Sequence, residues 1–318
     1  MWPFIESIQL IRYLILCRVN RSLVRLSAIP GAEFSRVLGA IIAERLPTIE
    51  AAAWKKAIPD WMQELAMPIS PESTNWPIES VLFVYPGKAH YGQDELIAWE
   101  LKLLGKCAEH GFFLEVILPA IEQASTTADP RWHQLNRLWG RFDIEAVYAA
   151  IGSRWEPVVS QGRLDLRCQV TPTQWNEGLE WTSNPEHVYD RLTWVTPFDM
   201  RPAGNKHNPA APMLVDLLEG LIDRMRVFIS GKHTTVQDVW NTLPETERTA
   251  LQQVIEQVRD IPLRRHNLGP AYRRWPDLMQ GWQRFALIPH PALPYLELAS
   301  ILHLGRHTHV GFGTFQIN

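Results

Sequence analysis

The chain has 318 residues, about twice the usual size of one domain, so two domains or one large one are expected. A hydrophobic fraction of 46% with a charged fraction of 20% excludes disordered, collagen-like and low-complexity architectures. A net charge of -3 gives no global attraction to nucleic acid or membrane, so any such partner must be argued from local charge.

In chain order, the apolar run Leu14-Ile15-Leu16-Cys17 comes first, hemmed in by Glu6, Arg12 and Arg18. It is too short for a secretion signal or a bilayer span, so a soluble, cytoplasmic protein with no membrane partner is expected. The three cysteines, Cys17, Cys107 and Cys168, are far apart and make no C-x-x-C spacing. They read as reduced thiols rather than a disulfide framework or a zinc site. Arg12 to Val19 is a strand, followed by a basic exit loop (Asn20, Arg21, Ser22, Arg25) that ends at Pro30-Gly31. From Ala32 to Leu46, Phe34, Val37, Leu38, Ile41 and Ile42 recur at three- and four-residue steps, which predicts an amphipathic helix closed by Pro47. Val81 to Tyr85 reads as a strand. Glu95 to Leu104 reads as a second one that could run on into a helix, with turn chemistry over Tyr91-Gly92-Gln93-Asp94 between them. Phe112 to Gln123 can be helical, Ala124 to Arg131 reads as a loop, and Phe142 to Val147 alternates as a half-buried strand does.

The second half repeats the mixture. Leu192 to Thr196 is strand-like and Pro202 to Pro212 is a loop carrying Gly204. Leu214, Leu217, Leu218, Leu221, Met225 and Phe228 make one helical stripe, with Gly231 as its stop. Another helix is expected over Glu245 to Val258 with Thr242 as its cap. Tyr295 to Phe315 reads as strand, apolar helix or strand, and glycine-rich loop. The pattern lacks the regular βα alternation of a doubly wound sheet. It predicts an α+β protein of two tandem ferredoxin-like, RRM-like domains over 1–186 and 187–318, with a C-terminal glycine-rich loop.

That loop is the most specific feature: His303-Leu304-Gly305-Arg306-His307-Thr308-His309-Val310-Gly311-Phe312-Gly313-Thr314-Phe315. Dense glycines permit positive φ and close ligand approach, and exposed amides beside Arg306, His307 and His309 suit an anion. A tight hairpin whose glycines serve geometry alone is the competing reading. The spacing H-L-G-x-x-x-x-x-G-F-G resembles the glycine-rich loop of the RAMP superfamily of CRISPR-associated proteins, with His303 where the first glycine would stand. Within it, the chain is similar to the Cas6 family of precursor-CRISPR-RNA processing endoribonucleases. Pro30-Gly31 with Ser35 to Gly39, Gly92 to Leu96 with Leu101 to Gly105, Gly140 to Val147, and Thr196-Pro197-Phe198 match further landmarks in order.

The resemblance implies two RAMP domains that bind CRISPR repeat RNA and cut it without a metal. The ends left would be a 2′,3′-cyclic phosphate and a 5′-hydroxyl, with the protein staying on the crRNA beside other CRISPR effector-complex subunits. A non-catalytic RAMP subunit that only holds guide RNA is the alternative, and a small-molecule enzyme on an unrelated α+β fold is a third. The family's usual histidine beside the first helix is missing, since none precedes His90. The proton-transfer and phosphate-stabilising roles are therefore expected at His307, His309 and Arg36. RNA phosphates are expected at Arg18, Arg21, Arg25, Arg264, Arg265, Arg273, Arg274 and Arg306, together with His303, Gly305, Gly311 and Gly313 of the loop. His303, His307 and His309 look like a metal cluster, but their glycine-rich setting does not make the helix that aligns such a pair, so neither metal nor cofactor is expected. A two-histidine phosphoesterase is a weaker reading, because His233-Thr234-Thr235-Val236 and His307-Thr308-His309-Val310 echo its paired motif and only the first has threonine in place.

Overall fold

The computed structural model describes residues 2–21, 23–58, 74–127, 138–160, 162–165, 167–181, 184, 186–201, 211–229 and 235–318. The chain forms two compact units, Gln9–Gly178 and Leu179–Asn318, and the first eight residues belong to the second unit. The division thus falls at 178/179 rather than the expected 186/187. The N-terminal residues join the C-terminal unit because their apolar side chains find partners there. Trp2 and Phe4 pack their rings on Tyr295 at 4.8 and 5.1 Å, and Ile8 bridges to Ile229.

In the N-terminal unit, β1 (Leu10–Val19) leads through β2 (Val24–Arg25) to helices α1 (Pro30–Arg45) and α2 (Thr48–Ala57). Then come β3 (Ser80–Val84), β4 (His90–Tyr91) and β5 (Leu96–Leu104). Strand β5 passes directly into a single 3-10 turn, Gly105–Cys107, so it does run on into a short helix, and a separate helical run, α3, is built from α-helical His110–Phe112, a π-helical Phe113–Ile117 and α-helical Leu118–Thr126. β6 (Phe142–Ile151), β7 (Arg154–Ser160) and β8 (Arg163–Leu164) complete the unit. The sheet order is β3-β5-β1-β6-β7-β8, with β1 antiparallel to both neighbours. Without the β7-β8 extension, this is the 4-1-3-2 order of a βαββαβ ferredoxin-like unit. Along β1, Ile11, Tyr13, Ile15, Cys17 and Val19 are buried, while the alternate residues Arg12, Leu14, Leu16 and Arg18 stay half-exposed.

Helix α1 is not amphipathic. It is buried continuously from Gly31 to Ala43, with Thr74 and Trp76 packed against it. Trp76 Nε1 donates to the Ser35 carbonyl (2.7 Å), and Ser35 Oγ donates to the Thr74 carbonyl (2.5 Å).

The C-terminal unit repeats the plan with β9 (Arg191–Trp194), α4 (Leu214–Phe228), α5 (Val236–Thr242), α6 (Glu245–Arg259), β10 (Leu263–Tyr272), β11 (Trp275–Phe285), α7 (Leu293–Leu302) and β12 (Phe315–Ile317). Its order, β10-β11-β9-β12, is again 4-1-3-2. The protein is α+β, with two tandem ferredoxin-like units. The expected stripe of α4 is buried, and Ile222 joins it. Gly204 and Gly231 lie outside the described residues. Thr242 does not cap α6: its Oγ1 donates to the Val239 carbonyl (2.7 Å) and closes α5, while Pro244 precedes α6. The apolar stretch before the glycine loop is helical, as α7. The long hairpin β10–β11 has no counterpart in the expectations from sequence.

Candidate nucleic-acid interface

The glycine-rich loop leaves α7 at His303 and returns into β12. Its backbone is tied internally and to the segment after β9. Leu304 N donates to Gly313 O (2.9 Å), Gly313 N to Pro197 O (2.9 Å), Arg306 N to Asp199 O (2.8 Å) and Gly311 N to Thr308 O (2.8 Å). These bonds require left-handed backbone: Gly305, Gly311 and Gly313 have φ of 85°, 84° and 87°. A Cβ on Gly313 would sit 1.9 Å from the Leu304 carbonyl oxygen, and one on Gly305 2.4 Å from that of Asp199. The left-handed backbone of all three, and the close backbone at Gly305 and Gly313, serve the loop's own closure, as the hairpin reading expects. His303, expected at the RNA, is corrected. It is fully buried at φ 61° and ψ 134°, a glycine-type conformation that fits its place in the motif, and its Nδ1 bonds the Phe312 carbonyl (3.0 Å).

The loop presents Arg306, His307 and His309, all half-buried, with the two histidine rings 6.3 Å apart. The β10–β11 hairpin is fastened beside it. Tyr272 near the tip stacks toward Phe312 of the loop (6.4 Å), and Trp275 meets Tyr272 edge-on (5.8 Å). Phe198 and Met279 exchange two backbone hydrogen bonds of 2.9 Å. Arg201 grips both Asp199 oxygens (2.9 and 2.7 Å) and reaches Asp277 on β11 (2.8 Å). Burial works to raise the Asp199 carboxyl, but Arg201, aided by the charge of Arg306, holds it below the usual carboxylate range. This clamp and the Tyr272–Phe312 contact fix the hairpin tip, where Arg273 and Arg274 are exposed, beside the glycine-rich loop. Arg264 and Arg265 are exposed near the start of β10.

The N-terminal arginines behave differently from one another. Arg21 and Arg25 are exposed. Arg18 is held by both oxygens of Glu145 (2.9 and 2.7 Å), so its charge is already answered by a carboxylate brought over on β6. Arg36 is only 4% exposed on α1, so it is not offered to an RNA phosphate, a correction that follows from the covered helix. His233 and Thr234 lie outside the described residues, and so do the structural consequences of their motif. Among the described residues no three of His, Cys, Asp and Glu converge as a metal site, and no helix is long and apolar enough to cross a membrane. Arg201 was not singled out from sequence, whereas Tyr272 stands in Tyr272-Arg273-Arg274-Trp275, whose arginines interleaved with aromatics suit phosphate contact and base stacking. In the fold this aromatic-flanked arginine pair is a hairpin tip.

No family model matches the sequence, and no curated protein does. Among solved structures, a chain of a partial Cas6-RT-Cas1–Cas2 complex is similar over 98% of this chain and 46% of its own, at 13% identity and a TM-score of 0.54. The fold is shared with a Cas6-containing protein. A chain of the Cas6-RT-Cas1–Cas2 complex aligns with the same identity and TM-score over 98% of this chain and 29% of its own, so the present chain spans less than half the length of either. A Cas6 product complex aligns over 98% of this chain and 100% of its own, at 15% identity and a TM-score of 0.48.

Proposed function

We propose that the protein binds CRISPR repeat RNA and cuts the precursor without a metal, leaving a 2′,3′-cyclic phosphate and a 5′-hydroxyl. It stays on its product, works with other CRISPR effector-complex subunits and acts in the cytoplasm. The observation that carries this reading is the clamped neighbourhood of the Arg273-Arg274 hairpin tip and the His307/His309 loop, on a fold shared with a Cas6-containing chain. Arginines at a rigid tip hold phosphates in place. A histidine nearby takes the 2′-hydroxyl proton and a second donates to the leaving 5′-oxygen, since imidazole exchanges protons near neutrality. Arg306 supplies positive charge beside them. Arg264 and Arg265 extend the phosphate contacts on the C-terminal unit, and Arg21 and Arg25 offer further cations to RNA on the N-terminal unit.

The covered α1, with Arg36 inside it and no histidine ahead of His90, favours a second reading in which the chain only holds guide RNA. Single-turnover reactions of labelled repeat RNA in EDTA, with the ends read by mass spectrometry, separate the two. Cyclic-phosphate ends, with His307→Ala or His309→Ala slowing cleavage about a hundredfold at nearly unchanged affinity, support the nuclease. Bound but intact RNA supports the scaffold, and absence of binding overturns both.

A further inference from the structure

The open face of the C-terminal sheet carries residues that neither the hairpin tip nor the glycine loop uses. One face of this sheet is closed by its own core: Leu192, Trp194, Gln283, Phe285 and Phe315 are all buried, and Gln283 is spent on Trp194 Nε1 (2.9 Å) and the Pro212 carbonyl (2.6 Å). The opposite face is polar and accessible. Across it, Arg265 on β10 stands directly beside Arg284 on β11, and Arg284 beside Arg191 on β9, all three exposed. Like charges placed directly opposite across strands destabilise a sheet. Here Asp190 answers Arg284 (2.7 Å), and Arg191 lies over the Trp282 ring at 4.8 Å. The neighbouring row runs Asn267, Trp282, Thr193 and Gln316, one aromatic ring flanked by amide and hydroxyl groups.

A line of arginines parallel to a line of base-sized hydrogen-bonding groups around a tryptophan matches the chemistry of a single RNA strand. The phosphates are anionic at regular intervals, and every base has a face that stacks and an edge that bonds. A protein partner would want the apolar centre that this face lacks.

We propose that this face seats unpaired nucleotides of an RNA strand, with a base stacked against Trp282 and phosphates along Arg265 and Arg191. The inference rests on the RNA-binding reading above and adds a second contact surface to it.

The test is fluorescence anisotropy with two probes, a short unstructured uridine oligomer and a blunt RNA hairpin without unpaired flanks. Trp282→Ala should lower the oligomer affinity relative to the hairpin affinity about tenfold, and Trp282→Phe should recover most of that ratio. Abasic sites in the oligomer should weaken wild-type binding to the level of Trp282→Ala. An unchanged ratio in Trp282→Ala, a phenylalanine variant no better than alanine, or an abasic oligomer that binds as tightly as uridine overturns the proposal. If such a result accompanies loss of hairpin binding in Arg273→Glu with Arg274→Glu, RNA binding stands without this surface. Wild-type protein that binds neither probe removes both.

Discussion

His303 is where a single residue departs most clearly from its pattern. The motif places a glycine there, and the backbone keeps a glycine-type conformation, φ 61°, although the residue carries a buried ring. Left-handed backbone costs a non-glycine residue roughly 1–2 kcal/mol, so the ring's bond to the Phe312 carbonyl has to offset that strain. Two substitutions separate the contributions. His303→Ala loses the ring and keeps the strain, whereas His303→Gly loses the ring and relieves it. In urea denaturation both should be less stable than wild type, with His303→Gly the more stable of the two by about 1 kcal/mol, the reverse of the usual order for these residues. Alanine at or above glycine would show that the loop backbone shifts away from φ 61° once the ring is gone.

Among the elements, those with a strong period were legible and those held by distant partners were not. The apolar stripe of α4 and the alternation of β6 are local patterns, and both elements formed. Helix α1 also formed, but its amphipathic reading failed because Thr74 and Trp76, far along the chain, pack against it. The β10–β11 hairpin escaped because its exposed strands carry Arg264, Arg265, His266, Asn267, Gly269 and Pro270, which lack the apolar alternation of a strand. Its order comes from cross-strand pairing and the Arg201 clamp. Arg18 shows the same limit at a site, since its partner Glu145 is distant in sequence.

His110 opens α3 one turn ahead of its π-helical part, and its Nδ1 meets the buried Tyr13 hydroxyl at 2.8 Å. Burial lowers the imidazole below its ordinary range, against a raising hydrogen bond to the Cys168 backbone. A histidine depressed in the folded state binds fewer protons than in the unfolded chain. Its contribution to stability is therefore present above the unfolded value and lost as the pH falls through the folded one. Wild-type protein should lose stability as the pH falls below the ordinary histidine range, about 6.5, and His110→Gln should flatten part of that slope. Parallel denaturation midpoints for the two proteins across this range would show that His110 titrates alike folded and unfolded.

At the scale of the whole molecule, the net charge of -3 opposes an RNA partner, so the affinity must come from a few arginines set apart from the acids. That makes the salt dependence countable. Each phosphate neutralised on a single strand contributes about 0.7 to the slope of log affinity against log salt, and about 0.9 on a duplex, whereas repulsion from the remaining acids is screened and does not scale with contact number. Arg273→Ala with Arg274→Ala should therefore reduce the slope for hairpin RNA by roughly 1.5 and weaken different hairpin sequences about equally, because phosphate contacts carry no base identity. Arg18→Ala should leave the slope nearly unchanged, since Glu145 already holds that guanidinium. Isothermal titrations over a salt series read both slopes. If Arg18→Ala lowered the slope as much as loss of the tip arginines, RNA would have displaced Glu145 from Arg18, and the ion pair would be a resting state rather than a reason to leave that residue out of the interface.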